Sequence, residues 1–559
     1  MNEKNCHRME KLSVLTIILI VCSTIIPARS QSSYEHISNH GIYSFLDEMA
    51  NEQRIELNTT IKPYTRNLIL EKLETIKESK SQLNTRQRKE LSFYLRDYQL
   101  TDDTTKNPYH GSSGLDIFKN NKHFATALNP LGLFYKDSLF IFGLRPIWGI
   151  EYLSNKNDAF SRTWGGGRIY GQIGDHFSFY ASLRDNHMSD ILSTPEYFSQ
   201  REGGVYKNND LGGGDYSEMR GGITYNWKWG EVSLIKDHLN WGDAYNGSII
   251  NSGRYPSFGM IKLHLHPVKW FQFDYFHGWL VSEVVDSLRT YTPSSGFKRT
   301  VYKPKYMAAN MFTFTPFRGI DVSIGNSIVY GDTDMQPAYL VPFMFFKSID
   351  HTLNANIENQ NSQMFGNLSI RAIKHLHLYG SLFIDEFSFK RISDPETHNF
   401  YTWKTGLRLS NWPIRNITLT GEMTYSTPLT YDHRIPVLTY ATNEYNFGHY
   451  LRGNSRDYFV ACSFNPFNRF NIKVSYTYAL HFNDYAYAMK NSPLDELPIM
   501  KDKTWSGEQL SFEATYEFSA NAYIFAGYTF RNTRGYSTDN QPANYYLSKY
   551  TPAMFHGET

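Results

Sequence analysis

The chain has 559 residues, which is more than one domain usually holds, so two folded units are expected. Lys and Arg total 56 against 54 Asp and Glu, and this near-neutral balance argues against nucleic acid as a partner. Aromatic residues make up 16% of the chain although its mean hydropathy is negative, a combination typical of exported β-barrels and not of helical membrane proteins.

Residues 1–30 have the parts of a secretory signal. Three basic residues precede an apolar stretch at 13–26, and Pro-Ala-Arg-Ser closes the segment. This order predicts export and cleavage after Ser30. The alternative is a signal anchor, which is disfavoured because the apolar stretch is short for a membrane span. Cys462 is the only cysteine beyond this segment, so an internal disulfide is excluded in the exported chain.

Residues 31–105 are predicted to form a small helical domain in the periplasm. Apolar residues recur there every three to four positions, as in amphipathic helices. Thr65, and either Asn84 or Thr85, stand where the N-caps of the second and third helices are expected. The apolar positions are Phe45, Leu46, Met49, Ile69, Leu73, Ile76, Leu91, Leu95 and Tyr98. Residues 106–137 are assigned to a linker or plug segment, with a possible strand near 131–135.

From residue 138 to 559 the apolar period changes to two, which predicts strands with one apolar and one polar face. Ile417, Leu419 and Met423, for example, alternate with Thr and Glu. A soluble sandwich also alternates, but here short turns alternate with long loops, as in an outer-membrane barrel. Eighteen strands are counted, although sixteen also fits, and the last is placed at 541–552. An all-β transmembrane barrel is therefore expected, with its C-terminus on the periplasmic side.

A barrel of this size would enclose a water-filled lumen unless something occupies it. The loop at 331–363 is rich in Asn and Gln. Two interpretations of this loop are equally favoured: it folds inward as a plug, or it remains a solvated outer loop.

No catalytic constellation is present. The sequence has no serine in a Gly-flanked elbow, no metal-binding histidine pair at helical spacing and no phosphate-binding glycine loop. His264 and His266 share one strand face, but such a pair just before a turn is more often an interface or lumen pair than a metal site. We therefore expect no enzymatic activity, no cofactor and no metal.

Binding is better supported, because the predicted outer loops mix aromatic, charged and amide side chains. Flat aromatic rings complement the C–H face of a sugar, and Arg, Asn or Asp complements its hydroxyls or carboxylates. The alternative is that the aromatics form the membrane-interface girdle while the charges solvate loop tips. The candidate ligand-binding residues are Trp241, Asp243, Arg254, Tyr255, Arg452, Asn454 and Arg456.

Four stretches of the sequence carry a resemblance to a known family. They are KDHLNWGDAYNGSIINSGRYPSF at 236–258, the segment from 339 that begins YLVPFMFF, NFGHYLRGNSRDY at 446–458, and IKPYTR in the helical region. With these stretches the chain resembles the capsule-assembly protein Wzi family. The resemblance implies an 18-stranded outer-membrane barrel with a periplasmic helical bundle and a lectin-like role without covalent chemistry.

The expected function is therefore that of an outer-membrane barrel that binds and anchors, or helps assemble, capsular or other surface exopolysaccharide. The expected partners are this polysaccharide, outer-membrane lipid and, through the helical domain, the polysaccharide export machinery. A porin or transporter for small solutes or saccharides is the alternative, which a wide lumen would favour.

Overall fold

The computed structural model describes residues 33–101, 106–111, 121–208, 213–353, 359–392, 399–485 and 497–559. The predicted signal sequence at residues 1–30 lies outside the described residues. Within them, a helical N-terminal region precedes a large antiparallel sheet that curls into a barrel.

The N-terminal region contains α1 (His40–Asn51), α2 (Arg66–Glu78) and α3 (Thr85–Tyr98). Both predicted caps are confirmed. The Thr65 hydroxyl accepts a hydrogen bond from the Leu68 N–H at 3.3 Å, and Asn84 forms a reciprocal capping box with Gln87. Every apolar position predicted for these helices is buried, so the three pack around one core. Two further helices, α4 (Phe346–Leu353) and α5 (Ala543–Tyr550), lie in the barrel half of the chain.

The described residues contain nineteen strands of five or more residues, and each pairs antiparallel with the next along the chain. A small hairpin, β1 (Phe124–Leu128) and β2 (Leu131–Lys136), leads into the wall. The wall strands are β3 (Phe140–Ser154), β4 (Ala159–Ile173), β5 (Phe177–Met188), β6 (Gly214–Trp227), β7 (Gly230–Asp237), β8 (Phe258–Val268), β9 (Phe271–Val285), β10 (Tyr302–Phe317), β11 (Ile320–Gly331), β12 (Gln360–Ile370), β13 (Leu376–Glu386), β14 (Phe400–Ser410), β15 (Ile417–Ser426), β16 (Ser455–Phe464), β17 (Phe470–Phe482), β18 (Lys503–Ser519) and β19 (Ala522–Gly535).

Seventeen of the predicted strands are present as β3 to β19, and the possible strand near 131–135 is present as β2. The prediction for 541–552 was wrong, because this segment forms α5. Pro542 stands just before the helix, and Tyr546 and Tyr550 follow four residues apart, so that both rings are buried on one helical face. The Tyr550 ring stacks on Phe198 with 4.3 Å between ring centroids.

The chain ends at the barrel end that carries the long connections, not at the end with the short turns as predicted. Residues 557–558 pair with Asn532 and Thr533 near the end of β19. The reason is that the wall from β3 to β19 has an odd number of strands. The first strand begins at one end of the barrel, and the last strand therefore finishes at the other end. No ladder joins β3 to β19 in the described residues. Side chains bridge this seam instead, as where Asn155 Nδ2 donates to the Met554 carbonyl at 2.7 Å.

The helical domain caps the barrel end that carries the short turns. The His375 N–H, between β12 and β13, donates to the Asn51 carbonyl of α1 at 2.6 Å. The Arg469 N–H, between β16 and β17, donates to the Glu90 carboxylate of α3 at 2.9 Å. The domain therefore contacts turns on widely separated parts of the wall.

The outward-facing positions of the wall are apolar and exposed. On β3, Trp148, Ile150 and Tyr152 are each at least 64% exposed, and they alternate with residues of the inner face. Met219 and Ile223 show the same arrangement on β6. An apolar band around the outside of a barrel is the surface that hydrocarbon requires. Among the described residues, no helix is long and apolar enough to cross a membrane.

The lumen is occupied by protein. The segment 238–257, between β7 and β8, folds inward until Asn240 and Trp241 pair with Ile61 and Lys62 of the helical domain. The inner faces of the surrounding strands carry apolar side chains that pack against this segment. The members of this cluster include Tyr34, Tyr170, Tyr180, Ile235, Trp241, Ile249, Tyr255, Phe258, Met260, Phe276, Met307, Val329, Phe365, Phe383, Tyr431 and Phe447.

Residues 332–353, here called the outer strap, lie against the outside of the wall. Of the two interpretations of the loop at 331–363, the inward plug is therefore wrong for these residues, and residues 354–358 lie outside the described part of the chain. Tyr339 and Phe346 are buried against Ala308 and Ile328, whose neighbours on β10 and β11 face the lumen cluster. On the same outer face, Asn310 Nδ2 donates to the carbonyls of residues 342 and 344 at 2.8 and 2.9 Å. The strap covers amide groups that would otherwise face hydrocarbon, where an unpaired polar group is costly.

Candidate functional site

Three long connections meet at the barrel end opposite the helical domain and enclose a cleft. Their described parts are residues 189–208, 238–257 and 427–454. The cleft contains three arginines, three tyrosines and no carboxylate among its lining residues. These are Ser193, Thr194, Pro195, Tyr197, Ser199, Arg201, Arg254, Tyr445, Asn446, Tyr450 and Arg452.

Arg254 is the best-placed cation of the cleft. Its guanidinium carbon lies 5.3 Å from the centre of the Tyr450 ring, a cation–π arrangement that orients the guanidinium plane. The buried Nη1 has no hydrogen-bond partner among the described residues. Burial lowers the pKa of Arg254 to about 10, so the group is still charged at neutral pH. A charged donor with an unused N–H is suited to an anionic ligand.

The other two arginines are held by neighbouring groups. Arg201 Nη2 donates to the Glu151 carboxylate at 2.8 Å, and Arg452 Nη2 donates to the Pro195 carbonyl. Each guanidinium keeps further N–H groups, because an arginine carries five. The cleft is therefore electropositive, with one neutralised arginine and two without a carboxylate partner in the described residues.

Tyr445 joins two of the loops behind the cleft. Its hydroxyl donates to the carbonyls of Ser193 and Gly204, at 3.0 and 3.1 Å. Residues 193–204 therefore rest on the loop that carries Arg452. Fixed loops lower the entropic cost of binding, because the side chains are already in position.

The structure brings Arg254 and Arg452 together, two predicted residues that are far apart in the sequence. It also adds Arg201, Tyr197 and Tyr450, which were not among the residues predicted from the sequence. Their signal was available, since each stands in a predicted loop as an aromatic or basic residue, but nothing in the sequence placed these loops side by side.

Trp241, Asp243 and Tyr255 are buried in the lumen and do not lie on a solvent-facing loop. Trp241 packs edge-on against Phe276 and Phe365 at 5.3 and 5.9 Å. The expectation of an outer-loop position does not hold for these three residues, because the segment that carries them folds inward.

Asp243 instead connects the segment 238–257 to the helical domain and the wall. Its carboxylate accepts hydrogen bonds from the hydroxyls of Thr59 and Thr60 and from Asn367 Nδ2 at 2.6 Å. All of these partners are groups of the protein itself, so Asp243 contributes to the packing of the lumen.

Asn454 and Arg456 follow Arg452 closely in the sequence, but neither side chain lines the cleft. Asn454 is buried, with its amide bonded to the Asn483 carbonyl and the Met500 N–H. Arg456 pairs with Tyr425 on neighbouring strands and lies on the outer face of β16. The ligand-binding role of each candidate residue remains a prediction.

No protein-family model matches this chain, and no curated protein matches it. Among solved structures it is similar to Wzi, described as an outer membrane protein involved in group 1 capsule assembly in Escherichia coli and a carbohydrate-binding β-barrel. The identity is 10%, the match covers 91% of this chain and 96% of Wzi, and the TM-score is 0.51.

Two other similar structures are OccAB2 of Acinetobacter baumannii and OccD3 of Pseudomonas aeruginosa, both 9% identical. The matches cover 72% and 73% of this chain, and 94% and 88% of those proteins. Their TM-scores are 0.40 and 0.38, and no conclusion is drawn from them.

The match to Wzi shows that the chain has the fold of this outer-membrane barrel. The resemblance predicted from the sequence is therefore confirmed at the level of the fold.

Proposed function

We propose that this protein is a non-enzymatic outer-membrane barrel that binds an acidic surface polysaccharide in the cleft of its outer loops. The observation that carries the proposal is the Arg254 guanidinium, stacked on Tyr450. Among the described residues its Nη1 has no partner, and no carboxylate lines the cleft. Binding at this position would hold capsular or other exopolysaccharide at the cell surface, or help to assemble it there.

The chemistry of the cleft supports an acidic glycan over a neutral solute. Arginine pairs with carboxylates through two parallel N–H groups, and tyrosine rings pack against the C–H face of a sugar. Arg254 and Arg452 provide the first feature, and Tyr197, Tyr445 and Tyr450 provide the second. The likeness to a carbohydrate-binding barrel agrees with this choice but extends only to the fold.

The exposed apolar band and the fold support an outer-membrane location. The end with the long loops then faces the exterior, and the capping helices face the periplasm. In that position the exposed sides of α2 and α3 are available to the polysaccharide export machinery. The predicted signal sequence supplies the route of export.

A porin is the competing function, and the filled lumen argues against it. Trp241, Asp243 and Tyr245 all extend from one loop into contact with the helical domain or the inner wall. An open channel would require the apolar lumen cluster to be displaced. We therefore expect little single-channel conductance from the intact protein in a planar bilayer, and steady open-channel current would favour the porin.

The binding test uses purified protein in detergent and surface polysaccharide from the source cells, native and with its carboxyls reduced. The wild type is expected to bind the native polymer and to lose most binding to the reduced one. Arg254→Ala should weaken binding roughly tenfold to hundredfold, since one charge-assisted hydrogen bond contributes about 1.5–3 kcal/mol. Arg254→Lys keeps the charge but not the planar fork, so an intermediate affinity is expected.

The matched control is Arg289→Ala, an exposed arginine of another long loop that pairs with Asp286 at 2.9 Å. Its binding should equal that of the wild type. Barrel folding of each variant is checked by heat-modifiable electrophoretic mobility. Equal binding of the native and reduced polymers, or of Arg254→Ala and wild type, would contradict the proposed site.

A further inference from the structure

Two histidines and an aspartate meet in the lumen, and none of the three lines the outer cleft. His36 belongs to the segment before α1, Asp237 is the last residue of β7, and His238 follows it. One ligand atom from each lies within 4.8 Å of the other two. Asp237 and His238 are each 1% exposed. The cluster therefore joins the N-terminal segment to the barrel wall, with Asp237 and His238 buried and His36 partly buried.

The spacing of the three groups fits a tetrahedral metal ion. His36 Nε2 lies 3.2 Å from His238 Nδ1, and that nitrogen lies 3.8 Å from an Asp237 carboxylate oxygen. A Zn²⁺ ion with ligands at about 2.0–2.1 Å in tetrahedral geometry separates neighbouring ligand atoms by about 3.4 Å. The observed separations lie on either side of that value, so only small side-chain movements are needed.

The second ring nitrogen of His36 is held by a neighbouring residue. Nδ1 lies 2.7 Å from the Ser38 hydroxyl, and the Ser38 N–H donates to it at 3.3 Å. Contacts at the nitrogen that does not face the metal fix the orientation of a ligating histidine ring.

The remaining ring nitrogen of His238 faces acidic groups. Nε2 has no hydrogen-bond partner among the described residues, and neither have the Oε1 atoms of Glu202 and Glu218. One atom from each of these three residues lies within 4.8 Å of the others. A carboxylate that accepts from the distal N–H of a ligating histidine orients the ring and strengthens it as a ligand.

The Asp237 carboxylate also accepts hydrogen bonds from neighbouring groups. The Tyr180 hydroxyl donates to Oδ2 at 2.5 Å, and the His238 N–H donates to Oδ1 at 2.8 Å. Arg220 lies 3.4 Å from Oδ1 and compensates part of the carboxylate charge. His36 and Asp237 therefore have hydrogen-bonded neighbours that fix their orientation, and Glu202 and Glu218 lie close to His238.

We propose that His36, Asp237 and His238 form a binding site for a divalent transition-metal ion, with Zn²⁺ the best match, supported by Glu202 and Glu218. Two imidazoles and one carboxylate are a ligand set that zinc accepts, and a fourth position is left for water or a flanking carboxylate. The bound ion would fasten the N-terminal segment to β7 inside the barrel. This proposal does not depend on the polysaccharide-binding function.

The test uses the full protein in detergent, stripped with EDTA and titrated with Zn²⁺ by calorimetry and with Co²⁺ by visible absorption. One equivalent of metal and the intense d–d bands of tetrahedral Co²⁺ are expected. His36→Ala and His238→Ala should each weaken binding by roughly 100-fold or more, because each removes a direct ligand. Tyr180→Phe removes only a supporting hydrogen bond, and a loss of about 10–100-fold is expected.

His187→Ala is the matched control, since His187 pairs with Asp215 at 2.5 Å on the exposed outer face, and its metal binding should equal that of the wild type. His36 belongs to the N-terminal segment and not to a wall strand. His36→Ala therefore still tests the proposal if His238→Ala fails to fold. Absence of Zn²⁺ binding by the wild type, or unchanged affinity in folded His36→Ala, would overturn the proposal and leave a histidine–histidine hydrogen bond.

Discussion

Asp47→Ala is the change that most directly tests how the helical domain is held in the barrel. The Asp47 carboxylate, on α1, accepts from Arg371 Nη2 and from the Tyr245 hydroxyl, both at 2.8 Å. Arg408 Nε lies 3.0 Å away. Burial alone would raise the pKa of Asp47, but Arg408 and Arg371 lower it below its ordinary value, so the group is ionised at neutral pH.

The expected loss follows from the burial of this ion cluster. Asp47 and Arg371 are at most 6% exposed. Removing one partner of a buried ion pair costs about 3–5 kcal/mol, because the other charge stays buried without compensation. Arg371 keeps hydrogen bonds to Asn51 and Thr59, at 2.8 and 2.9 Å, which favours the lower value. About 3 kcal/mol corresponds to a roughly 100-fold shift in the docking equilibrium of the domain.

The assay is limited trypsin digestion of the detergent-folded protein, followed at Arg66 and Arg86, whose burial protects them until the domain opens. Where opening is fast relative to cleavage, the cleavage rate follows the open population. We expect about 100-fold faster cleavage in Asp47→Ala. The control is Glu74→Ala, which removes an exposed ion pair with Lys77 that contributes at most about 1 kcal/mol.

Planar-bilayer recording of the same variants gives an independent readout. If the domain helps to close the lumen, Asp47→Ala should show openings that the wild type and Glu74→Ala lack. Wild-type cleavage kinetics in an Asp47→Ala protein with an intact, heat-modifiable barrel would refute the reasoning that this ion cluster holds the domain.

Three further outcomes are expected. Burial raises the pKa of Glu90 to about 7 despite the neighbouring Arg86. The free energy of unfolding should therefore fall as pH rises from about 4.5 through 7. Thermal unfolding at both ends of this range should show this decrease in the wild type and not in Glu90→Gln. Trp241→Ala should lower stability by about 3–5 kcal/mol in denaturant unfolding, while the folded fraction keeps its polysaccharide affinity. An epitope inserted at Asp539, beside α5, should be stained on intact cells, whereas one at Lys80 should require permeabilisation; the opposite pattern would reverse the topology.

Local elements were determined by the sequence alone. The caps at Thr65 and Asn84 and the apolar faces of α2 and α3 depend on contacts within a few residues, so their spacing predicts them. The strands from β3 to β19 follow from the alternation that a two-sided wall imposes, and their antiparallel order follows from short and long connections. The helix at 543–550 was missed because its aromatic content also fits a strand, and only the packing of Tyr546 and Tyr550 decides between them.

The paths of the long connections were decided by the tertiary structure. The same aromatic and polar composition serves the inward segment with Trp241, the outer strap with Tyr339 and the cleft with Tyr450. Composition cannot distinguish these environments, because all three surround aromatic rings with mixed polar groups. Each segment contacts the lumen, the outer wall or solvent. Which of these it contacts depends on strands that are distant in the sequence.

The candidate sites show the same division. Arg254 and Arg452 were recognised from the sequence as loop arginines, but their convergence with Arg201 required the fold. His36 and His238 are 202 positions apart, and no spacing rule relates them. The sequence by itself determined the helices, the barrel wall and the types of side chain available for binding. Only the curvature of the wall, which brings distant residues to one lumen, decided which of those side chains meet.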